Sequence, residues 1–156
     1  MSDNVARFPV PPVEKTILVH CELQRAFDAF TAEFDRWWPK QTHSVGKAKS
    51  CGIEPALGGV AFEIAEDGRR HVWGRVTAWN PPHGFTMTWH PGRDEIPGHE
   101  VELRFTPERD GTRVTLIHRG WEKLAREKQQ SQRDSYDKGW GSVFGETFKR
   151  YVDQLR

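Results

Sequence analysis

The segment Gly111-Thr-Arg-Val-Thr-Leu-Ile-His-Arg-Gly-Trp121 alternates as a strand does and puts Val114, Leu116 and His118 on one face. An imidazole carried toward the interior needs a polar group, water or ligand to meet it there. Near neutral pH it can donate to a ligand carbonyl or act as general acid or base. The residues offered as its company are His43, Glu54, Trp73, Trp89, His90 and Tyr136. An enzyme of cyclase, isomerase or hydrolase type would pair His118 with Glu54 or Tyr136, whereas a binding domain would use His118 as the polar anchor of its ligand. A third role is structural: an imidazole bonded to backbone or to a helix side chain, tying the sheet to a covering helix. Phe85, Met87 and Trp89 share a face by alternation, so His90 is expected to point outward.

Other chemistries find little support. Gly139-Trp-Gly-Ser-Val-Phe-Gly145 resembles a dinucleotide fingerprint, but its last glycine comes one residue late and no strand and helix follow. Ser44 and Ser142 lack the frame of a nucleophile elbow. The seven histidines include no His-x-His or His-Glu-x-x-His pair, so no metal site and no cofactor are expected. Cys21 and Cys51 lack metal spacing and read as buried small hydrophobes. If the first two strands pair, the thiols come close.

These groups must be positioned by a chain of 156 residues with formal charge +1, from 23 basic and 22 acidic residues. That length suits one domain. The balanced charge argues against nucleic acid or anionic membrane as partner. No spanning helix or signal peptide is apparent, so a cytoplasmic location is expected; a homodimer is left open. Seven Trp and nine Phe in a chain only 36% apolar point to large rigid walls, suited to flat apolar ligands with one or two polar handles.

Residues 1–12 read as a tail or surface strap and residues 13–156 as the domain. Glu14 to Cys21 alternates as a strand. Leu23, Ala26, Phe27 and Phe30 take helical spacing, which Phe34, Trp37 and Trp38 continue until Pro39. From Cys51 to His118 six strands form a meander, with Val60, Phe62 and Ile64 on one face and a bulge anticipated near residues 76 to 79. A helix over Ser131 to Leu155, about 37 Å long at about 1.5 Å per residue, is the cover for the sheet. Gly139, Gly141 and Gly145 interrupt it at about 0.8–1.0 kcal/mol each relative to Ala. Close approach to the sheet, room for something beside the helix, a late start or a kink would each explain them.

The set Trp37-Trp38-Pro39, Thr42-His-Ser-Val-Gly46, Gly58-Gly59, Trp73-Gly-Arg-Val76, Asn80-Pro-Pro82, Thr88-Trp-His90, Gly111 to Trp121 and Gly139-Trp140 resembles stand-alone domains of the activator of Hsp90 ATPase-like group. That group belongs to the START and pollen-allergen-type helix-grip superfamily, with the polyketide cyclases. The resemblance implies an α+β helix-grip fold: a curved antiparallel sheet of six or seven strands, two short helices after the first strand, and a long C-terminal helix over a cavity. It implies an apolar small-molecule ligand and no single activity. The chaperone co-factor that names the group joins such a domain to a second one, so a chaperone partner is the least favoured expectation. Residues expected around the ligand are Trp37, Trp38, His43, Glu54, Phe62, Trp73, Met87, Trp89, His118, Tyr136, Trp140 and Phe144.

Overall fold

A computed structural model describes residues 9–155; residues 1–8 of the expected tail lie outside the described residues. Seven antiparallel strands form one sheet in the order β1-β7-β6-β5-β4-β3-β2. They are β1 (Val13–Val19), β2 (Ala48–Ile53), β3 (Val60–Ala65), β4 (Arg70–Asn80), β5 (Gly84–Thr88), β6 (Glu100–Glu108) and β7 (Gly111–Arg119). The last six make the expected meander, and β1 pairs back onto β7 with Val13 opposite His118. Helices α1 (Leu23–Phe30) and α2 (Phe34–Trp37) follow β1. The chain ends in a continuous helix of α3 (Arg126–Ser142), a π-helical turn (Val143–Phe148) and α4 (Lys149–Asp153).

One sheet face is core and the other is wet. Val101, Leu103 and Phe105 of β6 and Val114, Leu116 and His118 of β7 are buried. Their outward neighbours Glu100, Glu102, Arg104 and Arg119 form a ladder of ion pairs. Phe27, Phe30 and Phe34, three and four residues apart on α1 and α2, turn one face onto the same core. Phe27 meets Phe105 with ring centroids 5.3 Å apart, and Phe30 meets Phe148 at 5.1 Å. Burying each such ring contributes about 1.5–3 kcal/mol.

The covering helix starts at Arg126, five residues before the expected Ser131, after a single 3-10 turn over Trp121–Lys123. Its buried row Trp140, Phe144, Phe148 and Val152 repeats every four residues. On an α-helix turning about 100° per residue such a row drifts about 40° per step. The π-helical turn holds more residues per turn and brings the row back over the sheet. Lys15 pairs with Asp137, and Arg133 donates to the carbonyls of Pro11 and Pro12, so the strap and β1 are tied to this helix.

Three expectations about orientation are corrected. The first two strands do not pair: β1 and β2 occupy opposite edges of the sheet, so nothing in the pairing brings Cys21 to Cys51. In β3 the inward residues are Ala61, Glu63 and Ala65. Phe62 faces out, half-buried under the Arg70 guanidinium at 4.6 Å and against Gly52 of β2, where a Cβ would lie 3.1 Å from its ring. His90 is buried, not outward, because β5 leads into a loop that folds over it. Its backbone N–H donates to Trp73 O and its Nδ1–H to Arg93 O. The register shifts that re-aim β4 lie opposite Ala61/Phe62 and between Val76 and Ala78, the second where a bulge was anticipated. Gly74 sits between them, where a Cβ would come 1.9 Å from Thr88 O; the strands approach this closely only with glycine there.

Candidate functional site

His118 stands at the inner end of β7, with Val101 opposite it on β6 and Val13 on β1, and its side chain is fully buried. Trp140 reaches down from α3 and donates its indole N–H to His118 Nδ1 at 3.0 Å. An indole nitrogen can only donate, so Nδ1 bears a lone pair and the neutral ring carries its proton on Nε2. That proton is donated to His99 Nε2 at 3.1 Å, and His99 Nδ1–H donates in turn to Gly120 O at 3.3 Å. A directed chain thus runs Trp140, His118, His99, Gly120, with each ring in the tautomer its neighbour requires. Trp121 closes the far side by donating to His118 O at 3.0 Å. Gly120 adopts φ +94° and its Cβ position lies 2.0 Å from Gly98 O, so glycine is required where the carbonyl turns toward His99.

Burial pushes the His118 imidazole well below its ordinary range, and the nearby His99 and Arg93 push the same way. Burial also lowers His99, partly opposed by its bond to Gly120 O. Both rings are therefore neutral in the folded protein near neutral pH. The expectation that His118 is itself the ligand's polar anchor is corrected: both ring nitrogens have partners and the ring is sealed behind Trp140, Trp121 and Tyr136. What it does is fix Trp140.

In front of Trp140 a cleft of about 300 Å³ opens, lined by Trp38, His43, Ser44, Val45, Trp89, Pro91, Gly92, Tyr136, Gly139, Trp140 and Val143. Its inner wall is three indoles. Ring centroids are 5.3 Å apart for Trp89 and Trp140, 5.9 Å for Trp38 and Trp89, and 6.0 Å for Trp38 and Trp140. Trp38 donates its N–H to His43 O at 2.8 Å, which joins the end of the α1–α2 unit to the loop that forms the rim. The same loop is held from below by Glu63. This fully buried carboxylate accepts the backbone N–H groups of Val45 and Gly46 (3.0 Å) and the Trp73 indole N–H (2.8 Å). Tyr136 stands edge-on to His118, centroids 4.8 Å apart, and burial raises its phenol, opposed by Arg93 and by the Trp89 side chain beside it. Gly139 supplies the space: a Cβ built there meets nothing within 4 Å.

Of the residues expected around the ligand, Trp38, His43, Trp89, Tyr136 and Trp140 are brought together on this cleft. Trp37, Trp73, Met87, His118 and Phe144 form the buried layer behind it. Glu54 and Phe62 are not brought there. Glu54 lies exposed at the end of β2, bound to Val60 N–H and paired with Arg70, because the β2–β3 turn folds away from the cleft. The pairing of His118 with Glu54 as acid and base is thereby corrected. The titratable side chains on the cleft surface are His43, whose Nδ1 lies 2.8 Å from Thr42 Oγ1, and Tyr136. Ser44, Val45, Pro91, Gly92 and Val143 were not expected around the ligand from the sequence, and neither were Glu63 and His99; Gly139 was named there only as a helix-interrupting glycine that would leave room beside the helix. Gly139 carried a signal in its helix-breaking cost, and Glu63 one in its place between Ala61 and Ala65. Among the described residues no group of three or more His, Cys, Asp or Glu is placed to hold a metal ion. No helix there is long and apolar enough to cross a membrane.

A family model described as Activator of Hsp90 ATPase homolog 1-like protein matches residues 20–153. Among solved structures, an anthrahydroquino-gamma-pyrone synthase, Txn09, complexed with SUM is 31% identical, over 92% of this chain and 96% of that one, with a TM-score of 0.58. The self-sacrificing resistance protein CalC from Micromonospora echinospora is 23% identical, over 92% and 95%, at TM-score 0.66. Protein MLL2253 from Mesorhizobium loti is 19% identical, over 93% and 98%, at 0.65. These last two share the fold. A comparison with curated proteins gives no match.

Proposed function

The chain belongs to the Activator of Hsp90 ATPase homolog 1-like family, and from that premise we propose that it binds a flat, apolar or aromatic small molecule in the cleft before Trp140. The observation that carries this reading is the wall of three indoles facing open space at Gly139. Rigid rings offer contact area at little entropic cost, and a volume of about 300 Å³ lies at the small end of ligand pockets, fit for two or three fused rings. His118 serves from behind: it accepts the Trp140 N–H and so holds the wall in place before a ligand arrives. The test is titration with small fused-ring aromatics. Trp38, Trp89 and Trp140 should be quenched saturably, and Gly139→Leu, which fills the cleft, should abolish the response. Saturable quenching that survives Gly139→Leu would place the ligand elsewhere, and no response across the panel would remove the reading.

A second reading is enzymatic, of cyclase type. It draws on the 31% identical synthase and on His43 and Tyr136 sharing one accessible cleft. It requires His43→Ala or Tyr136→Phe to abolish turnover of a polyketide-like substrate while leaving its binding intact.

A further inference from the structure

Each of the three indoles on the cleft carries one N–H, and the three differ in what they meet. The Trp38 N–H is engaged by His43 O and the Trp140 N–H by His118 Nδ1. The Trp89 N–H is buried, on a residue only 3% exposed; the Tyr136 hydroxyl lies close enough for this N–H to lower the phenol, but no hydrogen bond of ordinary geometry is made among the described residues. Trp37 also has an unpartnered N–H, but it lies among Phe30, Phe34 and Phe148 and does not border the cleft.

Resting on the binding reading above, we propose that the Trp89 N–H is the specificity determinant of the cleft, and that the ligand class it selects is a fused-ring aromatic bearing a carbonyl oxygen at its edge. A buried donor without a well-placed acceptor is costly, and a ligand oxygen that meets it in place of the Tyr136 hydroxyl recovers that cost. Because an indole nitrogen only donates, it rewards acceptors and gives nothing to hydrocarbons or to donors. His118, whose acceptor nitrogen is taken by Trp140, cannot reverse that preference. Tyr136, the other polar ring beside Trp89, can both donate and accept and so does not by itself discriminate.

The experiment uses two probes that differ by one carbonyl, 9-fluorenone and fluorene, titrated calorimetrically into the full chain. Fluorene is the more hydrophobic, so a preference for fluorenone does not arise from partition. The wild type should favour fluorenone about tenfold, the equivalent of one modest hydrogen bond. Trp89→Phe, which keeps an aromatic wall and removes the donor, should bring the ratio to one or reverse it. In the wild type, one indole N–H resonance, the one missing from Trp89→Phe spectra, should move downfield with fluorenone and not with fluorene. If Trp89→Phe does not fold, the wild-type ratio and that resonance, assigned through the backbone, still decide. Equal affinities, an unmoved resonance, or a preference lost in Tyr136→Phe but kept in Trp89→Phe would overturn the inference while leaving the cleft as a binding site. Failure of both probes to bind would overturn the binding reading and this inference together.

Discussion

Lowering the pH from 6.5 to 5 should weaken the fold through His118, before the carboxylates take part. In the unfolded chain the imidazole titrates near its ordinary 6.5, while in the folded protein burial, His99 and Arg93 hold it well below. Below pH 6.5 the unfolded state therefore binds a proton that the folded state refuses, so stability is complete above that pH and falls as pH drops. The slope is about 1.4 kcal/mol per pH unit for one such group, or about 2 kcal/mol by pH 5. His99, lowered by burial, adds in the same direction. Glu33 and Glu95, kept low by hydrogen bonds from Arg25 and Arg75, lose their contribution only as pH falls below the ordinary carboxylate value of 4.5. Urea unfolding followed by tryptophan fluorescence at half-unit steps reads the effect. With a slope of about 2 kcal/mol per molar urea, the midpoint should fall by about 1 M or more. His118→Asn places an amide oxygen near the position of Nδ1, so it can still accept from Trp140 but cannot titrate. Its midpoint should be lower at pH 7 and fall less steeply toward pH 5. A flat wild-type midpoint over this range, or an equally steep His118→Asn, would refute the neutral relay.

Trp140→Phe leaves His118 Nδ1 buried without its donor, and urea unfolding should register a loss of about 1–3 kcal/mol. Gly139→Ala meets open space on a helix and should raise stability by about 0.8–1.0 kcal/mol, a gain measurable by the same unfolding assay. Glu63→Gln turns an amide N–H toward groups that all donate; it should speed hydrogen exchange at Val45 and Gly46 and weaken ligand binding while the sheet amides of β6 and β7 stay protected. The Cys51 thiol, pushed up to about 12 chiefly by burial, should resist a thiol-disulfide reagent at pH 8 until the protein unfolds, with Cys21 reacting slowly in the native state.

How much of this was legible in the sequence depends on what each residue must contact. Val101, Leu103 and Phe105 alternate with Glu102 and Arg104, so the buried face of β6 follows from the residues themselves. In β3 both alternating sets are apolar enough to be core, since Val60, Phe62 and Ile64 compete with Ala61 and Ala65. The choice is made by what lies across from them. Trp73 and the rim loop occupy the inner space and offer three N–H donors, which small neighbours and one carboxylate satisfy better than a phenyl ring would. The inward face of His118 was likewise readable, but its partners were not. His99 comes from a glycine- and proline-rich loop 19 residues earlier and Trp140 from a helix 22 residues later. No periodicity links a strand residue to either.

The tryptophans carry the same lesson into function. Sequence spacing marks them as wall or core without distinguishing the two, because both roles require an apolar face at helical or strand period. The distinction lies in the nitrogen. Trp73, Trp121, Trp38 and Trp140 each donate to a fixed protein acceptor and so serve to lock a strand, a turn, a loop and a helix in place. An indole locked in this way is a preformed surface that a ligand need not order. Trp89 has the same surface and a donor with no well-formed hydrogen bond, only the Tyr136 hydroxyl beside it, so it is where such a wall could distinguish one ligand from another. If Trp89→Phe changes which aromatics bind while Trp140→Phe changes how tightly all of them bind, the wall and the determinant are separate residues.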